Sequence, residues 1–210
     1  MKQILLIFIA LFIYANTNAQ NEKRTRLAFV LSPQLSWLNS DNSEVSSNGN
    51  QFGFNFGIEM DRFFEQNYAF TTGITINSTG GKLSYNLPPA EGETGSTLQN
   101  TTYKLKYLEV PFSLKLLTNE FHRSRYYGQF GLFGQFNIKA VDQDDNSLSS
   151  EVNFFDMGYH LGGGMEYSLG GDTHLKIGIL YNNGFLDVTD HAIKDKTHLN
   201  RFVFQFGVIF

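Results

Sequence analysis

Charged residues recur at alternate positions of segments whose other positions are large and apolar. Those on the less apolar face are Glu59, Glu109, Lys115, Glu166, Lys176 and Arg201, with Asp156, His160 and His174 beside them. Acids, bases and imidazoles in one compartment could form a proton path, a gate or a catalytic cluster. They could equally pair with one another, because charges held away from water need partners. We favour this second interpretation, an interior network of ion pairs built from the six Glu, Lys and Arg residues.

Two other groups have the residue types of a chemical site without its spacing. His160 and Glu166 together with a serine are the types found in lipid hydrolases, but no serine lies in a recognisable nucleophile motif. Asp142, Asp144 and Asn146 resemble the start of a calcium loop, which would also need a glycine and a terminal glutamate. The histidines lack metal-ligand spacing. The sequence therefore predicts no catalytic residue, no metal site and no cofactor, and the protein is not expected to be an enzyme.

Eight segments show the two-residue period of a strand with one apolar face. They are residues 27–38, 51–60, 69–78, 103–117, 126–138, 153–169, 173–183 and 201–210. In the last of them, one face carries Phe202, Phe204, Phe206, Val208 and Phe210. Such a stripe is buried in the core of a soluble protein or meets lipid in a membrane barrel.

The connections between these segments alternate in length. Residues 61–68 and 118–125 are predicted as turns, and Gly170, Gly171 and Asp172 as a tight hairpin turn. The other connections are long, and residues 79–102 are either the largest loop or partly a hairpin that extends past the membrane. This alternation is typical of a membrane barrel with short periplasmic turns.

A soluble, lipocalin-like barrel is the alternative fold, but its water-facing side would need more charges than these Gly-, Gln-, Asn-, Ser- and Thr-rich faces supply. We therefore predict an all-β fold, an eight-stranded antiparallel transmembrane up-and-down barrel. Eight strands leave little space inside, and Tyr127, Phe133, Leu180, Val203 and Ile209 are expected to add bulk there.

The segment at residues 103–117 changes its apolar positions near Tyr107. Leu108 and Val110 occupy even positions, whereas Tyr103 and Leu105 occupy odd ones. The change indicates either a bulge near Tyr107 or a strand whose upper end has left the membrane. We favour the second, because the lysines at 104 and 106 would then face water.

Residues 1–19 have the composition of a secretory signal peptide. Lys2 supplies the positive start, residues 4–14 the apolar core and residues 16–19 a small or polar cleavage region. A membrane anchor is the alternative, but this apolar core is too short to cross a bilayer. The expected organisation is a signal peptide at 1–19 and one barrel domain at 20–210. The net charge of −4 offers no basic field for nucleic acid.

Residues 107–115, reading Tyr-Leu-Glu-Val-Pro-Phe-Ser-Leu-Lys, resemble a known signature. It is the Tyr-Leu-Glu-Ile-Pro-x-x-x-Lys strand of the Bacteroidetes outer-membrane β-barrel family, often called porin-like or PorT-like. Val110 stands where that family has isoleucine. The resemblance implies a small barrel in the outer membrane and no particular activity. The last strand, with Phe206 and the aromatic Phe210, similarly resembles the assembly signal of bacterial outer-membrane barrels.

These inferences predict a monomer that is surrounded by outer-membrane lipid and inserted by the barrel-assembly machinery. The favoured role is structural or interactive, with long outer loops that meet an extracellular ligand or another envelope protein. The alternatives are a narrow porin-like channel for small solutes and an outer-membrane lipid-modifying enzyme.

Overall fold

The computed structural model describes residues 25–42, 45–87, 97–189 and 196–210. The predicted signal peptide at 1–19 lies outside these ranges. Within them, no helix is both long and apolar enough to cross a membrane. The strands are β1 (Thr25–Ser40), β2 (Val45–Ser47), β3 (Gln51–Glu65), β4 (Tyr68–Leu87), β5 (Thr97–Leu117), β6 (Ser124–Val141), β7 (Phe155–Gly170), β8 (Thr173–Gly184) and β9 (Thr197–Ile209).

The strands close into one antiparallel barrel. The order around the sheet is β1-β3-β4-β5-β6-β7-β8-β9, and β9 pairs back onto β1. The short β2 adds only to the end of β4, where Val45 lies opposite Tyr85. Closure removes the unpaired strand edges that an open sheet would expose. The predicted eight-stranded antiparallel barrel is therefore confirmed, with β2 as an addition outside it.

Side chains alternate between the outside of the barrel and its lumen, as the sequence period predicts. Phe52 is 74% exposed and Phe112 is 60% exposed, and both point outward, as do the other exposed phenylalanines of the predicted apolar faces. The predicted interior bulk is confirmed, because Tyr127, Phe133, Leu180, Val203 and Ile209 are all buried. The apolar faces therefore cover the outside of the barrel, and the mixed faces line its lumen.

The two ends of the barrel differ in their connections. At the short-turn end, β3 leads to β4 within two residues, and Gly170 and Gly171 turn β7 into β8 at φ values of 129° and 58°. Those left-handed values favour glycine. The prediction that residues 61–68 form a turn was wrong, because β3 continues to Glu65. The charges at 61 and 62 hide the strand pattern there, but Asp61 is a buried lumen residue.

At the opposite, long-loop end, β4 and β5 are the longest strands, with 20 and 21 residues. The hairpin alternative for residues 79–102 is confirmed to this extent, since the pairing continues to Leu87 opposite Thr97. The residues between them lie outside the described ranges. β5 does not change faces at Tyr107, because Tyr103, Leu105, Tyr107 and Glu109 are all buried. Instead, the side chains that line the lumen change from polar to apolar at this height. The irregularity in the β5–β6 register lies beside Lys106 and Tyr107, and the extra residue belongs to β6.

The seam between β1 and β9 closes the barrel with an interruption. Strand pairs run from Ala28 opposite Ile209 to Val30 opposite Gly207, and resume at Gln34 opposite Val203. Residues 31–33 have no β9 partner in this ladder, and Pro33 has no N–H to donate. The hydroxyl of Ser32 instead accepts a hydrogen bond from the Phe206 N–H at 3.4 Å.

Beyond the last pair of the seam, Leu27 and Phe210 exchange two backbone hydrogen bonds of 3.0 and 2.8 Å. The Phe210 ring lies 5.3 Å from the Phe29 ring on the outer surface. The last residue of the chain is therefore fixed against the first described strand.

Candidate functional site: the barrel lumen

Six charged side chains meet inside the barrel near its short-turn end. We call them the lumen ion cluster: Arg26, Glu59, Asp61, Lys115, Glu166 and Lys176. Their side chains are 12% exposed or less. Three are cations and three are carboxylates, so their formal charges cancel. Burial of charge is tolerated only with such pairing.

Lys115 lies at the centre of the lumen ion cluster. Its Nζ is 2.7 Å from Asp61 Oδ2 and 2.6 Å from Glu166 Oε1. Arg26 reaches the same two carboxylates, at 3.3 Å to Asp61 and 2.9 Å to Glu166. Lys176 Nζ forms its own bridge of 2.6 Å to Glu59 Oε2. The cluster therefore joins side chains from β1, β3, β5, β7 and β8 across the lumen.

Tyr127 packs against both lysines. Its ring centre lies 4.8 Å from Lys115 Nζ and 5.7 Å from Lys176 Nζ, and its hydroxyl donates to Gln205 Oε1 at 2.8 Å. A Cβ on Gly178 would lie 2.3 Å from the Tyr127 hydroxyl oxygen, so only glycine leaves space for the ring there. The ring and the lumen ion cluster together fill the cross-section at this level.

A second ion pair lies further towards the long-loop end. Arg201 is completely buried, its Nη2 contacts Glu109 Oε2, and its guanidinium lies 5.0 Å from the centre of the Phe133 ring. Nearby, Gln135 donates to Asp156 Oδ2 at 2.7 Å. The polar cavity beside this pair has a volume of about 20 Å³, enough for roughly one water molecule. The middle of the lumen is therefore polar and contains a small cavity.

Ser113 and His160 form a contact that resembles that of a nucleophile and its base. Their Oγ and Nε2 atoms are 2.6 Å apart, and Gln129 donates to the same Oγ at 3.0 Å. Ser113 is 1% exposed and His160 is 3% exposed. Among the described residues, no carboxylate is hydrogen-bonded to His160 as the third member of a triad would be. A hydrolase needs an accessible nucleophile, and this arrangement does not provide one.

Apolar side chains fill the lumen at the long-loop end. We call this group the apolar cap: Leu38, Val45, Leu83, Tyr85, Tyr103, Leu105, Tyr107, Ala140, Val152, Val188 and Leu199. The hydroxyls of Tyr85 and Tyr103 lie 2.8 Å apart within it. The sequence indicates the apolar cap, because Tyr103, Leu105 and Tyr107 occupy the same strand face as the inward-facing Glu109. The cap was not predicted, because the lumen was expected to be polar throughout.

The structure brings most of the predicted interior charges together. Glu59, Lys115, Glu166 and Lys176 belong to the lumen ion cluster, whereas Glu109 and Arg201 form the separate pair above it. Arg26 and Asp61 were missed, because one was placed in a charged lead-in and the other in a turn. Three further predicted residues lie apart from these contacts: His174, which hydrogen-bonds the Asp172 carbonyl at the short-turn rim, and Phe206 and Phe210, which point outward.

The acidic loop after β6 is held by its own hydrogen bonds. The Asp142 carboxylate accepts from the backbone N–H of Asp144, and from the backbone N–H and the side-chain amide of Asn146, at 2.8 Å each. These bonds, above all the one from the Asn146 side chain, hold the pKa of Asp142 below its ordinary value. The resemblance to a calcium loop is thus explained by an ordinary turn.

A family model described as "Outer membrane protein beta-barrel domain" matches residues 14–190, most of the chain. The chain belongs to this family. Membership agrees with the closed barrel and its apolar outer surface and places the protein in the outer membrane. In such barrels the short turns are periplasmic and the long loops are extracellular. The lumen ion cluster is therefore near the periplasm, and the apolar cap is near the cell exterior.

Several solved barrels are similar to the chain at low identity. Neisserial surface protein A (NspA) is 16% identical, with 87% of this chain and 97% of that chain covered and a TM-score of 0.49. Ail, the attachment invasion locus protein of Yersinia pestis, is 12% identical, with 89% of this chain and 99% of that chain covered and a TM-score of 0.46. OprG of Pseudomonas aeruginosa is 11% identical, with 87% of this chain and 95% of that chain covered and a TM-score of 0.44. No curated protein matches the chain.

Proposed function

We propose that this outer-membrane barrel is a closed anchor with a structural or interactive role in the envelope. Its extracellular end would meet a ligand or another envelope protein. The observation that carries the proposal is the double obstruction of the lumen. The lumen ion cluster with Tyr127 fills one level, and the apolar cap fills another.

The double obstruction suits an eight-stranded barrel. Its interior is only wide enough for side chains, whereas water-filled porins have 16 to 18 strands. Ions would have to displace a neutral ion cluster and then pass a largely apolar region whose few polar groups are tyrosine hydroxyls. The geometry therefore supports an anchor better than a diffusion pore.

The extracellular part of the barrel offers a surface for interaction. A tilted strand needs only about 9–11 residues to cross the membrane, but β4 and β5 have 20 and 21. About half of this hairpin therefore projects beyond the bilayer. β2 widens it by pairing with β4, and Val45 fixes β2 to the apolar cap. A partner would meet an ordered sheet here rather than a loose loop.

We assign the protein to the PorT-like, Bacteroidetes type of these barrels on the signature at residues 107–115. In the fold, Tyr107 belongs to the apolar cap, Glu109 pairs with Arg201, and Lys115 centres the lumen ion cluster. The signature thus occupies three levels of the lumen, which is a reason for its residue types.

We further propose a monomer without enzymatic activity or cofactor, inserted by the barrel-assembly machinery through a signal that includes Phe206 and Phe210.

Conductance in planar bilayers tests the closed-anchor proposal. Purified, verified monomer is expected to give no channels, or steps far below those of a 16- to 18-stranded porin measured in the same bilayers, because both levels of the lumen are filled. The porin serves as the positive control. Steady, large channels from the monomer would contradict the proposal, and a lipid-hydrolysis assay on the same preparation tests the enzyme alternative.

A narrow channel for small solutes is the second candidate. It is favoured by the polar middle of the lumen, where Asn55, Thr75, Gln129 and Asn182 line the small cavity beside Glu109. Small, steady conductance steps that depend on Glu109 would favour this candidate over the closed anchor.

A further inference from the structure

A pocket of about 400 Å³ opens on the outer surface of the barrel where β1, β8 and β9 approach the long-loop end. This volume lies within the range of small-molecule sites. Its wall combines three aromatic rings with three side-chain amides: Trp37, Tyr181, Phe185, Asn39, Asn183 and Asn200. His198 lines it as well, and its Nε2 lies 3.6 Å from Asp41. No lysine or arginine is among the described residues that line it.

The rings and amides are held by one another. The Trp37 and Tyr181 rings both pack on Phe202, at centre distances of 5.4 and 5.3 Å. The Tyr181 hydroxyl donates to Asn200 Oδ1 at 3.0 Å, and the Asn183 amide donates to the same oxygen. The Asn183 carbonyl oxygen and the Asn200 amide nitrogen take no part in these two bonds. The wall is therefore ordered while retaining hydrogen-bonding groups of both kinds.

The height of the pocket locates it in the membrane. Leu27 is bonded to Phe210 at the short-turn end, and Trp37 follows ten residues later in the same strand. At about 3.3 Å per residue and a tilt of about 40°, ten residues rise roughly 25 Å along the barrel axis. The apolar band of an outer-membrane barrel is about 25 Å tall. The pocket therefore lies at the level of the outer-leaflet headgroups and faces the lipid.

We propose that this pocket binds the sugar headgroup of a glycolipid in the outer leaflet. The C–H face of a pyranose ring is apolar enough to pack on an aromatic ring. Its hydroxyls both donate and accept, which suits the amides. A phosphate headgroup would call for lysine or arginine, and the described residues that line the pocket include neither. An aromatic girdle alone would explain the rings but not three amides gathered beside them.

Trp37 is the single tryptophan of the chain, so its fluorescence reports on this pocket. The full chain is reconstituted in phosphatidylethanolamine nanodiscs that contain rising fractions of a monoglucosyl diacylglycerol. The expected result is a saturable change in Trp37 emission and retention of the glycolipid in native mass spectrometry. Phosphatidylglycerol, added as an anionic lipid without a sugar, is expected to produce neither.

Substitutions locate the site. Asn183→Leu should weaken the apparent affinity at least about tenfold, because it removes a polar partner from the wall. Asn39→Leu, at an exposed position, is a second variant in case the first folds poorly. The matched control is Asn119→Leu, at an exposed asparagine in the turn after β5, which should leave binding unchanged.

Three results would overturn the inference. Equal responses to phosphatidylglycerol would reduce it to a general effect of the interface. Unchanged affinity in both Asn39→Leu and Asn183→Leu would place binding elsewhere. An equal response to soluble methyl glucoside would assign the pocket to a free sugar rather than to a lipid.

Discussion

Replacement of Glu109 with glutamine is expected to lower the free energy of unfolding by about 3–5 kcal/mol. The substitution keeps the shape of the side chain but leaves the Arg201 guanidinium without its carboxylate. Arg201 is completely buried, and Glu109 is its sole ion-pair partner among the described residues. Glu166 would be a weaker test, because both of its cations, Lys115 and Arg26, also contact Asp61.

Urea unfolding of the barrel in lipid vesicles, followed by Trp37 fluorescence, measures the loss. Glu65→Gln is the matched control, because Glu65 is exposed at the end of β3, and its effect should stay within about 0.5 kcal/mol. The double variant Glu109→Gln, Arg201→Met should recover much of the lost stability, since no unpaired charge remains. An equally small effect from Glu109→Gln and Glu65→Gln would mean that the pair is not buried as described.

Truncation of Leu105 to alanine is expected to cost about 2–5 kcal/mol. Leu105 is 1% exposed within the apolar cap, between Thr79 of β4 and Ala140 of β6. The loss combines the missing apolar burial with the cavity that remains, because strands on both sides prevent the site from collapsing.

The same unfolding experiment checks Leu105→Ala against Leu132→Ala. Leu132 lies on the outer surface and is 49% exposed, so lipid can fill the space that its truncation leaves. The control should therefore lose less stability, and the difference between the two variants measures the cavity. Equal losses would show that the space around Leu105 is also filled from outside, and the apolar cap would then not close the lumen.

The sequence was sufficient for the barrel because lipid and lumen impose opposite demands on alternate residues. Phe202 to Phe210 must be apolar on one face, while Gln205 and Arg201 can be polar on the other. The interior position of Glu59, Lys115, Glu166 and Lys176 followed from the same alternation. Their partners did not follow, because pairing across a lumen depends on strand stagger, which local spacing does not fix.

Two parts of the lumen were hidden for different reasons. Arg26 and Asp61 lie near the ends of the apolar pattern, beside the polar Thr25 and the charged Arg62, so the alternation does not continue past them to mark them as strand residues. The apolar cap was hidden because Tyr103 and Leu105 lie above the membrane, where the outer face of the strand meets water. At that height the apolar face of a strand points into the barrel, whereas within the membrane it points to the lipid. The apolar positions therefore change near Tyr107 because the strand passes the edge of the membrane there.

The interrupted seam at Pro33 determines where this barrel is mechanically weakest. Leaving aside the small β2, each of the other pairings around the barrel joins strands that follow one another along the chain. The pairing of β1 with β9 instead joins strands that are separated by most of the described chain. Closing so long a loop carries the largest entropic cost, and this ladder lacks pairs at residues 31–33. Under a pulling force the barrel should unzip at this seam, leaving the hairpins intact. Single-molecule extraction from the N-terminal side should therefore release β1 and β3 together as a hairpin first, and release of β1 alone would argue otherwise.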